Sequence, residues 1–119
     1  MAAPNLKSPT TITGKTARYA VTASIAAALS NASSSSKVLK INSIFCANVD
    51  GVNPADISVS IYNGSADSYL VKTISVPANA TQVISNKETY FYLEEGDSIR
   101  AVASAASDLE LVIGYEDIS

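Results

Sequence analysis

The sequence predicts an all-β protein, an antiparallel β-sandwich of jelly-roll or immunoglobulin-like type with about eight short strands and an extended N-terminal arm. Three observations carry that prediction. Short runs rich in Thr, Val, Ile and Tyr fit a pleated, half-buried surface. Clusters of Gly, Pro, Asn, Asp and Ser separate them at roughly 8–12 residue intervals. No helix-periodic stretch is long enough for the crossover that a parallel sheet needs. At 119 residues the chain holds one core, so residues 11–119 are expected to form a single β-sandwich domain behind an arm at 1–10.

In the arm, Pro4 and Pro9 remove two backbone donors and favour an extended course. Strand character begins at Thr11. From Ala23 to Leu29 alanine favours helix, but the serine-rich tract Ser30 to Ser36 that follows is loop chemistry, so strand is preferred there with a short helical turn left open. Val38 to Ala47 is the strongest apolar run. Leu39, Ile41 and Phe45 fall on one face and Val38, Ile44 and Cys46 on the other, which predicts a central strand covered on both sides. Asn48 to Pro54 breaks it. Ile57, Val59 and Ile61 then alternate with Ser58, Ser60 and Tyr62, so the first three face a core and the others face away. Asn63-Gly64 marks a turn into Tyr69 to Val76, expected to pair antiparallel with its predecessor. Shorter strands are expected at Thr81 to Ile84 and Tyr90 to Leu93, and the last two at Ile99 to Ser104 and Leu109 to Tyr115.

Composition excludes much chemistry. There is no His, which removes the usual nucleophile relays and imidazole metal ligands, and a single Cys closes no internal disulfide. Eleven carboxylates against eight cations give a net charge of −3, unlike the clustered Lys and Arg of a nucleic-acid binder. Charged residues make up 16%, well below the roughly 25% of an ordinary domain, while Ala and Ser contribute 18 each. A surface of methyls and hydroxyls suits a protein packed among neighbours. No apolar run reaches the roughly 20 residues of a membrane span, and the stretch Tyr19 to Leu29 is interrupted by Thr22 and Ser24, so neither a transmembrane segment nor a cleaved signal peptide is expected.

The remaining motifs read as structure. In Asn48-Val49-Asp50-Gly51-Val52-Asn53 the Gly comes too early and the closing Glu of a calcium loop is missing, leaving a turn. Glu94-Glu95-Gly96-Asp97 reads as a solvated turn before a strand, and Ser33 to Ser36 as a flexible loop tip. Cys46, among Ile44 and Phe45, reads as buried and inert. No catalytic group, cofactor or metal is expected. Tyr90 and Tyr92 share one face of a short strand and suit either an interface or a core edge.

Three stretches carry a resemblance: Lys40-Ile41-Asn42-Ser43-Ile44-Phe45-Cys46-Ala47-Asn48-Val49-Asp50-Gly51, then Tyr92-Leu93-Glu94-Glu95-Gly96-Asp97-Ser98-Ile99-Arg100-Ala101, and Gly114-Tyr115-Glu116-Asp117-Ile118. Over residues 37–119 the chain resembles small β-rich virion structural proteins of tailed bacteriophages, especially those of marine and cyanobacterial hosts. The resemblance implies a part of the particle, made in the host cytoplasm and located in the virion. The expected function is a head decoration or cement protein bound to the capsid exterior, with the major capsid protein or other virion proteins as partners. A neck or tail position, or a carbohydrate- or receptor-binding module of a tail fibre, is the alternative. A homo-oligomer is expected, a trimer by preference because three-fold lattice points suit such a cap. Leu6, Tyr90, Tyr92, Tyr115 and Ile118 are the expected contact residues.

Overall fold

The structure is a computed structural model that describes residues 4–119, so the first three residues of the expected arm lie outside it. Asn5 to Ser8 make a turn closed by the Ser8 N–H on the Asn5 carbonyl at 3.1 Å, and the Thr10 and Thr11 N–H groups both donate to the Ser119 carbonyl. Nine strands follow: β1 (Ile12–Ala20), β2 (Ala26–Ser30), β3 (Val38–Asn48), β4 (Ala55–Tyr62), β5 (Asp67–Val76), β6 (Thr81–Ser85), β7 (Phe91–Leu93), β8 (Ser98–Ala103) and β9 (Leu109–Ile118). One short 3₁₀ turn, Lys87–Thr89, separates β6 from β7, capped by the Asn86 side chain. The Ala-rich stretch is therefore extended. Pairing of β2 with β8 outweighs the helix preference of alanine.

All pairings are antiparallel and form two sheets. The first runs β1-β9-β3, with β6 and β7 sharing the far edge of β3; the second runs β2-β8-β4-β5. Successive strands alternate between the sheets except at the β4–β5 hairpin and the β6–β7 step. That order is the jelly roll, so the immunoglobulin-like alternative falls away. Asn63-Gly64 does turn the β4–β5 hairpin: Gly64 takes φ +97°, and the Asn63 side chain accepts from the Ser65 and Ala66 N–H groups at 2.9 Å.

The core lies between the sheets. Ile41, Ile44, Cys46, Leu111 and Ile113 of the first face Ile57, Val59, Ile99 and Ala101 of the second, all fully buried. Burial of such side chains is the main favourable term in folding.

The expectation for β3 needs correction. The strand is central, but only one face is covered: Phe45 is 38% exposed. Its inward positions are Leu39 and Ile41, then Ile44 and Cys46, and the change of phase is a bulge. Ile41 pairs with Tyr115 and Ser43 with the adjacent Gly114, so Asn42 is the extra residue. Once the slip is counted, Leu39, Ile41, Ile44 and Cys46 all meet one core, while Phe45 faces out. Gly114 fits the bulge because a Cβ there would lie 2.9 Å from the Ser43 Oγ.

Ser60 keeps the outward parity expected of it. It faces away from the core, yet it is fully buried. Its hydroxyl donates to Asp67 Oδ1 at 2.8 Å, and Arg100, paired across the strand to Ser60, holds the same carboxylate at 3.1 and 2.7 Å. The guanidinium stacks on Tyr62 at 4.0 Å. The outer face of the second sheet thus carries a polar, hydrogen-bonded cluster.

Candidate interaction surface

The outer face of the first sheet has the opposite character. Residues directly opposite one another in register form a row from β1 to β6: Arg18, Val112, Phe45 and Val83. Phe45 and Val83 are 38% and 49% exposed, and Val112, on the other side of Phe45, is half-buried. Three adjoining apolar side chains on a solvent face form a patch, unlike scattered single exposures. Sequence reasoning missed this row because it assigned Phe45 inward. The signal was present: a polar Asn42 inside an apolar run, with Ile41 and Ile44 three apart, marks a slip of phase.

A parallel row lies toward the other end of the sheet: Gly14, Glu116, Lys40 and Tyr92. Tyr90 and Tyr92 meet there edge to face, with centroids 5.9 Å apart and ring planes at 89°. Lys40 Nζ sits 4.5 Å from the Tyr90 centroid. Glu116 accepts from Asn42 Nδ2 at 2.9 Å. Of the expected contact residues, Tyr90, Tyr92 and Leu6 are exposed. Tyr115 shares the inward parity of Ile113 and packs against the core edge. Ile118, between Ile12 and Val38, is only 5% exposed. The structure therefore brings the two tyrosines together, turns Tyr115 toward the core and leaves Ile118 covered on the outer face.

The loops read as chemistry from sequence are consumed by structure. Asp50 Oδ1 accepts from the Val52 and Asn53 N–H groups, which hold its pKa below the ordinary carboxylate value. Beside it, buried Asn48 donates to the Asn53 and Val76 carbonyls and accepts from the Asp50 N–H. Glu95 Oε2 accepts from the Ser36 N–H at 3.2 Å, and Asp97 Oδ2 from the Glu94 N–H at 3.2 Å, so these carboxylates close loops instead of converging on one point. The serine tract is tied down as well. Buried Asn31 donates to the Lys37 and Leu93 carbonyls and accepts from the Ser35 hydroxyl at 2.6 Å. Neither asparagine carried a sequence signal beyond its place beside a turn.

Among the described residues no group of three His, Cys, Asp or Glu side chains is placed to hold a metal. An open groove of about 400 Å³ runs over Arg18, Tyr19, Ala20, Glu110, Leu111 and Val112. Burial pushes the Cys46 thiol up to about 11. Asp117 is squeezed between Lys15 at 3.0 Å and Lys37 at 3.2 Å. Burial alone would raise its pKa, but hydrogen bonds and charges from the two lysines outweigh that and lower it. No helix of the described residues is long and apolar enough to cross a membrane.

No protein-family model and no curated protein matches the chain. Solved structures share its fold. A subunit of Bacillus endospore appendages, described as disulfide-linked pili, aligns at 14% identity and a TM-score of 0.53 over 92% of this chain and 87% of its own. The capsid of Helicobacter pylori bacteriophage KHP30 aligns at 11% identity and a TM-score of 0.51, over 94% and 90%. A pentameric capsid protein from metagenomic phage sequences aligns at 14% identity and a TM-score of 0.41, over 85% and 59%. At these identities the likeness is one of fold.

Proposed function

We propose that the chain is a non-enzymatic structural protein of a phage particle, which binds the capsid exterior and reinforces junctions between major capsid subunits. The observation that carries this reading is a jelly roll whose one outer face exposes the Val112, Phe45, Val83 row, in a chain whose thiol is buried and whose Asp50, Asp67, Glu95, Asp97 and Asp117 carboxylates are engaged in structural contacts. Such a molecule has a contact surface and no convergent acid, base or nucleophile. The full-length likeness to a phage capsid chain and the resemblance of residues 37–119 to phage virion proteins support the same reading. Fold alone would not, since jelly rolls also serve as lectins.

Two observations weigh against other uses. The appendage subunits are described as disulfide-linked, whereas the single thiol here is fully buried in the core. A sugar-stacking platform needs an open ring face, and Tyr90 offers one covered by Lys40 and edged by Tyr92.

The test is binding of the purified chain to heads stripped of accessory proteins, followed by immunogold labelling of intact particles. Phe45→Asp is expected to weaken head binding at least about tenfold, a loss of roughly 1.4 kcal/mol, while leaving the melting temperature within a few degrees. Label on necks or tails would move the protein there. Undiminished binding by the variant would remove this face from the contact, and absence of the chain from particles would overturn the reading.

A further inference from the structure

A sheet edge with open backbone groups is a template for another strand, and native edges are usually blunted. Three edges of this sandwich are. Strand β2 has five residues and a bulge between Ala27 and Leu29. The β6–β7 edge is divided between strands of five and three residues. Strand β5 is longer but breaks register twice, and Thr73 takes φ +54°. Strand β1 differs: it pairs with β9 over nine consecutive residues without a shift, and no described strand pairs its other side.

The direction of its backbone groups follows from the ladder. Thr11 and Ser119 exchange both hydrogen bonds, and the Val21 N–H donates to Leu109. In an antiparallel pair such doubly bonded positions alternate. Odd-numbered residues of β1 therefore bond β9, and the N–H and C=O of Ile12, Gly14, Thr16, Arg18 and Ala20 point out from the edge. The cation that might guard it does not, because Lys15 turns to Asp117 at 3.0 Å.

We propose that β1 is a strand-addition site for a second copy of this chain, the two β1 strands pairing antiparallel about a two-fold axis at Thr16. This register bonds even-numbered positions to even-numbered positions, as the backbone requires, and uses all nine residues. Thr16 meets the partner's Thr16, Ile12 the partner's Ala20 and Thr13 the partner's Tyr19. Thr–Thr and aromatic–Thr pairs are favourable across strands. Sliding by two residues either sets Lys15 against the partner's Lys15 or moves Arg18 from Gly14 onto Thr16.

Charge fits the same register. Arg18 lies on the outer face opposite the partner's Gly14, where nothing lies within 4 Å of a Cβ position. Beyond that glycine, in the same row, stands the partner's Glu116. Two strand spacings separate the Cα atoms by about 10 Å, a span that arginine and glutamate side chains bridge end to end. The two-fold makes the contact twice. The result is one continuous sheet through both copies, with the apolar rows of both on one surface.

This inference does not depend on where the protein works, and its test is separate from head binding. Sedimentation velocity of the full chain is expected to give a dimer that dissociates on dilution. Thr16→Pro removes an outward N–H without touching the β9 ladder and is expected to abolish the dimer while circular dichroism stays unchanged. Arg18→Glu is expected to weaken it at least tenfold, and Arg18→Glu with Glu116→Arg to restore it. Amide exchange at Gly14, Thr16 and Arg18 should slow only in the dimer, which keeps the proposal testable if the proline variant misfolds. A monomer at every concentration, or a trimer indifferent to Thr16→Pro and Arg18→Glu, would overturn it.

Discussion

Two buried asparagines, Asn31 and Asn48, do more to fix the loops than any charged residue. Each side chain serves three backbone or hydroxyl partners, and each amide nitrogen bonds two carbonyls from separate parts of the chain. Removing such a group leaves one buried carbonyl without its donor in each case, Leu93 for Asn31 and Val76 for Asn48. Asn48→Ala is expected to cost about 1–3 kcal/mol, read as a lower urea midpoint at unchanged slope. A change within a few tenths of a kcal/mol would mean that the Asn53 and Val76 carbonyls find other partners.

At the level of elements, the β3 bulge decides which side chains reach the core. Deleting Asn42 would remove the extra residue and leave Leu39, Ile41, Ile44 and Cys46 in strict alternation on the core face, with Phe45 still outward. A one-residue slip moves a whole hydrophobic set to the wrong face. The deletion causes no such slip against β9, so the variant is expected to keep cooperative thermal unfolding, and loss of the sharp transition would refute the phase argument. Strand positions were legible in the sequence because turn chemistry such as Asn63-Gly64 and Asn48 to Pro54 is local. The alternation in β4 was legible for the same reason. The phase of β3 was only hinted at by Asn42 between Ile41 and Ile44, because the bulge itself is set by the partner strand, where Gly114 leaves the room. The exposed apolar row was missed with it. Tyr90 and Tyr92 were visible as an adjacent pair, whereas the Val112, Phe45, Val83 row joins residues that only the sheet order brings together.

For the whole molecule, charge is sparse but placed to matter. Asp50, Asp67 and Asp117 all have pKa values lowered by folding: Asp67 by hydrogen bonds from Arg100 and then Ser60, Asp117 by the two lysines that overcome its burial. A carboxylate with a depressed folded pKa stabilises the fold above its ordinary range and ceases to as pH falls through the folded value. Lys15 runs the other way: its pKa is raised by Asp117, so its contribution holds below the ordinary lysine value and fades as pH rises through the higher folded one. Stability should be flat around neutrality and decline once the medium drops below about pH 4. Urea midpoints measured between neutral and acid pH check this; a midpoint that rises on acidification would contradict it. The placement of β1 against β9 has a mechanical meaning as well. Thr11 and Ser119 sit side by side at one end of that ladder. Tension drawn between those two residues would part the strands like a zipper, one pair at a time, so the fold is soft along that line. Load entering through the sheet faces meets every pair at once, so the fold is stiff in that direction.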